Sequence, residues 1–424
     1  MPDQIKLQQP VTDGSLRATN FFNGRLITGA DLTREQNARR EAVRRIGRAT
    51  GNGVVEGLEV AKEPAAGDEP IVSVRAGTAV NRCGISLHLA QDASVNLLER
   101  FGAAEQPSSI FGVCRAIQSG TYTAGFGFYL LVLSPSQTVE GSAPTGGLNN
   151  AFAACSTDVI LETVQFRLLP ADNFLKNGMP SDLDDKLLRN YVAYRCFGTA
   201  DIVNFFADPL DFSLESYGLL DEMRGQQTLS DNDVPLAIVH WTSEGLEFVE
   251  MWAVRRRLTS RNDDADWTQL IGDRRPSDIE AMMRQFADHL EAIRNAANDP
   301  SAVIADEHFR YLPPAGILPL VTDGVLGRGF DAGNFFGANG SSNIISTDGD
   351  RLRVMLNQAL DHEPCDLQSD EKIQLYHVRE NLKAVQDGRN VQKVLAFARH
   401  SLPFFGVARF DEAKFNKDRF SAPI

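Results

Sequence analysis

The sequence has few cysteines, and no two of them are spaced as a ligand or disulfide pair. The five cysteines lie at least 31 residues apart, so no CxxC spacing is present for a zinc site or a dense disulfide framework. Scattered cysteines of this kind, namely Cys83, Cys114, Cys155, Cys196 and Cys365, predict buried free thiols in a reducing compartment. The first ten residues, MPDQIKLQQP, lack the basic-then-apolar layout of a secretory signal. We therefore expect synthesis in the cytoplasm.

Long apolar runs and an excess of positive charge are also missing. No run of apolar residues reaches the roughly 18 that a membrane-spanning helix needs, and the longest apolar segment, residues 126–133, has the length of a strand. Lys and Arg total 42 against 56 Asp and Glu, which gives a net charge of −14. This charge repels phosphate backbones and anionic lipid, so we expect neither a nucleic-acid partner nor direct insertion into a membrane. Hydrophobic residues make up 43% of the chain, which argues against intrinsic disorder.

The sequence carries no familiar catalytic or cofactor-binding motif. Its seven histidines include no HExxH pair, and neither a GxSxG turn nor a GxxxxGKS/T loop is present. His362, Glu363 and Cys365 are the nearest to a ligand cluster, but no second cluster supports a zinc site, and we interpret them as a surface turn. The acidic run at 263–266 lacks the glycine and the distal glutamate of an EF-hand loop. We therefore predict no catalytic residue, no cofactor and no metal, and we expect that the protein is not an enzyme.

The length of 424 residues indicates more than one domain. The succession of apolar segments and turn residues predicts an α+β protein, with a β-rich, sandwich- or barrel-like N-terminal region that carries an arginine-rich helix, followed by a smaller mixed α/β C-terminal region. We predict an N-terminal β domain with this helix at 1–100, a β-sandwich-like domain at 101–258, a linker and helix at 259–300, a C-terminal α/β domain at 301–402 and a phenylalanine-rich tail at 403–424.

Local patterns predict the individual elements. Strands are expected at 54–60, 71–75, 85–89, 126–133 and 159–169, a hairpin at 234–254, and helices at 28–49, 182–189, 352–360 and 391–400. Residues 135–150, which are rich in Gly, Ser, Pro and Asn, are expected to form an exposed loop. Ser277 and Glu280 suggest a capping box at the start of a further helix with regularly spaced apolar residues, namely Ile279, Met283, Phe286, Leu290 and Ile293. Residues 373–378 fit either a strand or a helix.

The helix predicted at 28–49 is basic, although the chain as a whole is acidic. Thr28 and Asp31 are suited to its start, and Leu32, Val43 and Ile46 mark one apolar side. Six arginines cover much of the remaining surface: Arg34, Arg39, Arg40, Arg44, Arg45 and Arg48. They either form a solvated face with pairs such as Glu41 with Arg45, or dock onto an acidic surface of a partner. All six are candidate partner-binding residues.

Phenylalanine is abundant, with 25 copies against 7 Tyr and 3 Trp, and it supplies apolar area without a polar group. Four copies near the C-terminus recur every five residues, which fits neither a helix nor a strand: Phe405, Phe410, Phe415 and Phe420. This tail either packs on its own domain or extends into pockets of a neighbouring subunit, so these four are also candidate partner-binding residues. Two Asn-Phe-Phe triplets, at 20–22 and 334–336, stand beside turn residues. We expect part of this phenylalanine to lie in interfaces.

The N-terminal block contains several short motifs in a fixed order. Phe21-Phe22-Asn23-Gly24-Arg25-Leu26 is followed by Asp31-Leu32, by Glu35-Gln36, by GVVEGLEV at 53–60, and by a turn that runs from Val74-Arg75-Ala76-Gly77 to Gly84. These motifs resemble those of an uncharacterised family of structural or accessory proteins in phage-tail-like contractile injection systems. Weaker similarity continues at 234–258 and 309–316, and Ala76 stands where the family commonly has Pro.

The resemblance implies a non-enzymatic structural component of a contractile injection particle, in the baseplate or the tail periphery, that acts through protein–protein contacts. The partners would be other subunits of the tail or baseplate, with several copies of this chain in each particle. The chain would be assembled in the cytoplasm and would reach the outside only as part of a released particle. Two alternatives stay open: a tip adhesin or glycan-binding module, and a cell-wall polymer hydrolase or effector carried by the particle.

Overall fold

The computed structural model describes the chain in thirteen segments. They comprise residues 8, 11–63, 70–97, 126–144, 155–177, 179–198, 218–260, 274–321, 329–347, 349–358, 362–370, 372–378 and 394–399. The predicted phenylalanine-rich tail, with Phe405, Phe410, Phe415 and Phe420, lies outside the described residues, and so do residues 261–273 of the predicted linker.

Helices and strands both contribute to the structure, which confirms the predicted α+β class. The helices are α1 Gly29–Thr50, α2 Asp172–Leu175, α3 Asp185–Phe197, α4 Leu219–Gly225, α5 Arg274–Ala296, α6 Ala332–Phe336 and α7 Gly349–Gln358. The strands are β1 Gly53–Gly57, β2 Val60–Lys62, β3 Ile71–Val74, β4 Gly77–Val80, β5 Ser86–Leu89, β6 Ala93–Asn96, β7 Gly127–Pro144, β8 Cys155–Pro170, β9 Val234–Thr242, β10 Gly245–Glu250, β11 Tyr311–Leu312, β12 Ala315–Pro319, β13 Gly340–Thr347, β14 Cys365–Asp366, β15 Ile373–Val378 and β16 Val394–Ala398. Among the described strands, no sheet closes into a barrel.

The N-terminal region is built from two small antiparallel sheets, β1-β4-β5 and β2-β3-β6. Buried and half-exposed residues alternate along β3 and β4, as expected for strands with one face on a core. The inward side chains, among them Val54, Leu58, Val72 and Leu87, pack with one face of the central sheet. The two small sheets are therefore held against the central sheet by a shared hydrophobic core.

The central sheet is antiparallel in the order β10-β9-β7-β8. Leu130 and Val132 on β7 point into one hydrophobic core, and Leu131 and Leu133 point into the core on the opposite face. Burial on both faces explains the continuous apolar run at 128–133, and the predicted central strand is confirmed; Phe126 precedes the strand and is exposed. The hairpin predicted at 234–254 is also confirmed as β9 and β10, joined at residues 243–244, but its second strand ends at Glu250 and residues 252–254 form a turn.

The prediction of an exposed loop at 135–150 is wrong for its first ten residues. Strand β7 continues to Pro144 and pairs with β8 as far as Cys155. β9 pairs with β7 only as far as Leu133, so the outer half of the β7–β8 hairpin is a ribbon of two strands. Each strand of a ribbon has one open edge, which explains how the strand accommodates Pro135, which cannot donate a backbone hydrogen bond. We call residues 134–144 and 155–163 the arm.

Helix α5 joins two hydrophobic cores. Ile279 packs in the core beneath the central sheet, whereas Phe286, Leu290 and Ile293 pack in the C-terminal core, which confirms the predicted apolar face. The predicted capping box is wrong, because the helix already begins at Arg274 and Ser277 lies buried inside it. Pro276 is compatible with this earlier start, because proline is tolerated in the first turn of a helix.

The C-terminal region contains a mixed sheet in the order β12-β16-β15-β13, in which β13 and β15 run parallel. The helix predicted at 391–400 is wrong, since residues 394–398 form strand β16 between β12 and β15. Leu395, Ala396, Phe397 and Ala398 are all buried, and a short, uniformly apolar run does not distinguish a central strand from a helix. The ambiguous residues 373–378 form strand β15. The helix predicted at 352–360 is confirmed as α7, which begins three residues earlier, at Gly349; residues 359–360 lie outside the described residues.

Hydrogen bonds also tie the central sheet to the C-terminal region. The fully buried Asn190 on α3 accepts hydrogen bonds from the backbone N–H groups of Arg310 and Tyr311 and donates one to the Tyr311 carbonyl, over 2.9 to 3.0 Å. The domain boundaries given above stay predictions, and packing crosses two of them, near residue 100 and along α5.

Candidate functional site

The start of α1 is fixed by a reciprocal pair of hydrogen bonds between Thr28 and Asp31. The Thr28 hydroxyl accepts the Asp31 N–H at 3.3 Å, and an Asp31 carboxylate oxygen accepts the Thr28 N–H at 3.1 Å. Arg25 donates to the other carboxylate oxygen at 2.6 Å, and Arg34 donates to it at 3.1 Å. The hydrogen bonds from Thr28, reinforced by Arg25, hold the pKa of Asp31 at about 2. The predicted helix start is therefore confirmed, with a carboxylate that stays ionised where the helix dipole favours negative charge.

Two glycines allow the last turns of α1 to lie directly on the β4–β5 turn. A Cβ atom on Gly47 would come within 2.2 Å of the Gly84 carbonyl oxygen, and one on Gly84 would come within 2.1 Å of the Arg44 carbonyl oxygen. Gly84 also has φ of +77°, which side chains disfavour. The helix therefore contacts the N-terminal sheets by backbone approach, and not by burying its apolar side chains.

Four of the six predicted arginines form ion pairs within the chain. Arg34 binds Asp31, Arg45 and Arg48 both bind Glu41, and Arg40 reaches Glu162 on β8 at 3.2 Å. Arg45 also donates to the Gly14 carbonyl. These contacts confirm the predicted pairing of Glu41 with Arg45 and connect the helix to the arm. Arg39 and Arg44 are exposed, and neither makes an ion pair with any described residue.

The apolar side predicted for α1 is present, but it faces solvent. Leu32, Val43 and Ile46 are 53%, 58% and 67% exposed, and the helix buries only one residue, Asp31. An amphipathic helix ordinarily directs such a stripe into a core. Here the stripe is uncovered within the described part of the chain.

The segment before α1 extends this exposed apolar surface. Phe21, Phe22 and Ile27 are at least half exposed, and Leu26 is 89% exposed. The Arg25 guanidinium, which binds Asp31 of α1, lies 5.9 Å from the centre of the Phe22 ring, so the segment is fixed beside the first turn of the helix. Phe21 and Phe22 are thus exposed, and their place in an interface stays a prediction.

The phenylalanines of the second Asn-Phe-Phe triplet, at 334–336, are buried. Phe335 and Phe336 are 1% and 4% exposed and pack edge-to-face with each other and with Phe330 and Phe397. An interfacial role for residues 335–336 is therefore wrong, because they belong to the C-terminal core.

The arm is a further element with exposed apolar side chains, and the sequence analysis did not predict this exposed surface. Val139 is 65% exposed, and Val159, Ile160 and Leu161 are 43%, 57% and 38% exposed. Three consecutive apolar residues at 159–161 were the available signal, because successive side chains of a strand point to opposite faces. No core of the described residues lies on either side of this ribbon, so apolar side chains on both of its faces are exposed.

A buried charge fixes the arm where it leaves the central sheet. The Asp233 carboxylate accepts hydrogen bonds from Arg167 on β8 at 2.9 and 3.1 Å and from the Ser134 hydroxyl on β7 at 2.5 Å. Asp233 itself is 2% exposed. Both strands of the arm are thus tied to the turn before β9, and we expect a defined exit direction from the sheet.

Other polar groups connect elements inside the fold. Glu250 at the end of β10 is fully buried, accepts a hydrogen bond from Arg189 at 2.8 Å and another from Gln285 at 3.3 Å, and has its pKa raised by burial against the opposing effect of Arg189. Arg189 also binds Asp288 at 2.6 Å. Burial keeps the pKa of the neighbouring His289 well below its usual range, so this imidazole is neutral. This network joins α3, β10 and α5.

A cavity of 220 Å³ lies between β1, Trp252 and the first turns of α5. The guanidinium carbons of Arg255 and Arg284 lie 5.1 and 4.9 Å from the centre of the Trp252 ring. Glu280 binds both Arg257 and Arg284 at 2.9 Å. Cations and carboxylates of the lining neutralise one another, and these contacts hold α5 against β1.

The described residues form no recognisable metal site, disulfide or membrane-spanning helix. Within these segments, no group of three or more His, Cys, Asp or Glu side chains converges as a metal site. Cys196 and Cys365 are buried and outside any disulfide, as predicted, and Cys83 is half-buried and also outside one. No helix of the described segments is both long and apolar enough to cross a membrane. The predicted acidic run at 263–266 and the four tail phenylalanines lie outside the described residues.

Comparisons with known proteins give no sequence match and a weak structural similarity. No protein family and no curated protein sequence matches the chain. Among solved structures, the chain is similar to the crystal structure of TssK, with a TM-score of 0.21 and 9% sequence identity. The similarity covers 50% of this chain and 54% of that chain, so the chain spans about half the length of TssK. A TM-score this low is no basis for transferring the fold or the role of TssK.

Proposed function

We propose that this protein is a non-enzymatic structural component of a contractile, phage-tail-like injection particle, in the baseplate or the tail periphery. It acts by binding other subunits of the particle and is present in several copies. The motifs at residues 20–84 supply the link to such particles, through their resemblance to a family of these systems. The exposed surface built by the same residues supplies the physical basis for subunit contacts.

The proposal rests on the concentration of exposed apolar side chains in the N-terminal block. Of the twenty large hydrophobic residues exposed in the described segments, ten lie between Val11 and Val55, and four more lie on the arm. Scattered exposed apolar residues are normal on any protein, but a concentration in one block marks an interaction surface. The surface is therefore best explained as one that a neighbouring subunit covers.

The apolar surface can contribute substantially to a subunit contact. Full burial of a Val, Leu, Ile or Phe side chain contributes about 1.5–3 kcal/mol, so the half-exposed side chains of this block would each add roughly 1 kcal/mol on contact with a subunit. Ten such residues would together contribute about 10 kcal/mol, which is of the same order as the cost of association, about 4–15 kcal/mol. Repeated copies in a symmetric particle would multiply the same contact.

The ion pairs of α1 give the surface a fixed shape. Arg25 and Arg34 on Asp31, and Arg45 and Arg48 on Glu41, restrain the helix and the segment before it. Exposed pairs of this kind add little to stability. Their proposed role is to restrict side-chain freedom before a partner binds, which lowers the cost of binding.

The proposal is tested by purifying intact particles from cells that encode the chain and quantifying their subunits by mass spectrometry. We expect this chain in a constant molar ratio to the sheath and tube subunits in every preparation. Its absence from washed, intact particles would refute the proposal. Separately, hydrolysis of cell-wall polymer by the purified chain would refute the proposal that the protein is not an enzyme.

A further inference from the structure

The open face of α1 has a charge pattern that complements itself. Leu32, Arg39, Val43 and Ile46 follow one another at intervals of seven, four and three residues, which return to the same side of an α-helix. Glu35 lies at the edge of this side, one turn before Arg39. Arg39 makes no ion pair with Glu35 or with any other described residue. The face thus carries three apolar groups, one cation and one anion.

Contacts with other described residues occupy the two flanks of the helix, and no described residue covers this face. On one flank, the Thr19 N–H donates to Glu35 at 3.0 Å and the Thr19 hydroxyl donates to the Asp31 carbonyl at 2.9 Å. On the other flank, Gly47 lies against Gly84 and Arg40 reaches Glu162. A second helix can therefore approach the face without displacing either flank.

We infer that the α1 face binds the α1 face of a second copy of this chain, with the two helices antiparallel across a two-fold axis. When Leu32 of one copy lies opposite Val43 of the other, Arg39 lies beside Glu35 and Gln36 of the second helix. Glu35 accepts the Thr19 N–H through one carboxylate oxygen, and a carboxylate can accept further hydrogen bonds. The two-fold axis produces every one of these contacts twice.

Charge selects this register over its neighbour. If Leu32 were placed opposite Ile46 instead, Arg39 of one helix would face Arg39 of the other, which like-charge repulsion disfavours. In the favoured register, Ile46 reaches the first turn of the second helix, where Ile27 is 57% exposed. Apolar side chains then meet apolar side chains along the whole contact, and the cation of each helix meets the anion of the other.

The occupant is a second copy, and not an acidic partner, because the excess positive charge of α1 lies away from this face. Arg34, Arg40, Arg45 and Arg48 are already bound to carboxylates of their own chain. On the open face, Arg39 and Glu35 balance each other. An acidic partner would have to meet Glu35 with like charge, whereas a second copy meets it with Arg39.

Sedimentation velocity of the purified full chain over a range of concentrations tests the inference. We expect a reversible dimer for the wild type, at least roughly tenfold weaker dimerisation for Arg39→Glu and for Glu35→Arg, and recovery in the double variant Glu35→Arg/Arg39→Glu. Arg44→Glu is the matched control, because Arg44 is exposed on another side of the same helix, and it should dimerise like the wild type.

Two results would overturn the inference. A wild-type chain that stays monomeric at every concentration would exclude a second copy as the occupant of the face. A dimer that survives both Arg39→Glu and Val43→Asp, in variants whose circular dichroism shows native folding, would place the contact elsewhere. Neither result bears on incorporation into particles, which the experiment of the preceding section measures separately.

Discussion

Replacement of Arg189 by Met should destabilise the protein in a way that depends on pH. Arg189 is the cation that binds the fully buried carboxylate of Glu250, at 2.8 Å, and its side chain is itself 15% exposed. Methionine keeps much of the apolar volume of the arginine stem but leaves Glu250, among the described residues, with the hydrogen bond from Gln285 alone. Removing one partner of a buried ion pair costs about 3–5 kcal/mol when the other partner stays charged. We expect a loss of this size at pH 8.

The direction of the pH dependence follows from the raised pKa of Glu250. Burial raises this pKa in the folded protein, and loss of Arg189 raises it further. A folded-state pKa above the unfolded value of about 4.3 means that folding is favoured with the carboxyl protonated, so the stability is lost as pH rises from about 4.3 through the folded pKa. The deficit of Arg189→Met should therefore be small near pH 4.5 and should grow up to pH 8.

Urea unfolding followed by circular dichroism at several pH values measures this deficit. The double variant Arg189→Met/Glu250→Gln is the control, since it has no carboxylate at position 250; its deficit should be smaller than that of Arg189→Met at pH 8 and should not grow between pH 4.5 and pH 8. A deficit of Arg189→Met below about 1 kcal/mol at pH 8, far from the 3–5 kcal/mol of a buried uncompensated charge, would refute the reasoning. An equal deficit at pH 5 and pH 8 would also refute it.

Three further predictions concern packing and reactivity. Gly47→Ala should lower the melting temperature, because its Cβ would collide with backbone of the β4–β5 turn, whereas Gly29→Ala in the same helix meets no atom within 4 Å and should be neutral. Asp233→Asn should cost about 2–4 kcal/mol in urea unfolding, because it leaves Arg167 without its carboxylate at the base of the arm. Burial raises the pKa of the Cys196 thiol, so iodoacetamide should label it only in urea, as peptide mass spectrometry can show; labelling of the native protein would contradict its burial.

The structural features that were predicted correctly from the sequence depend on residues that are close together in the chain. The start of α1 rests on Thr28 and Asp31, three residues apart, and their hydrogen bonds form within one turn. The hairpin of β9 and β10 likewise rests on two adjacent segments and a short turn. Such features are visible in a window of a few residues, because the groups that stabilise them lie within it.

Features set by distant partners were predicted poorly. Residues 394–398 form a strand because β12 and β15 lie on either side, and nothing inside the segment records that. Pro135 suggested a loop, but the register of β7 with β8 keeps it within a strand.

Burial was the hardest property to predict, because it depends on what covers a residue. Two identical Asn-Phe-Phe triplets differ completely, with Phe22 63% exposed and Phe336 4% exposed. The apolar stripe of α1 could be predicted from the sequence, but its exposure could not. An apolar stripe indicates that another apolar surface covers it and does not identify that surface. In this chain, the described segments leave that place open.

Loss of two exposed apolar side chains before α1 tests most directly whether the N-terminal block is an assembly surface. The two residues are 63% and 89% exposed. In the double variant Phe22→Ser/Leu26→Ser, the apolar area lost from one subunit contact is worth about 3 kcal/mol in total, or roughly a hundredfold in affinity. Ile304→Ser/Val354→Ser is the matched control, with two exposed apolar residues changed outside the block.

The measurement is the amount of each variant in purified particles, relative to the tube subunit, in cells that lack the wild-type chain. We expect that Phe22→Ser/Leu26→Ser melts like the wild type but is absent or strongly depleted, while Ile304→Ser/Val354→Ser is incorporated normally. Full incorporation of Phe22→Ser/Leu26→Ser would show that the N-terminal block is not an assembly surface.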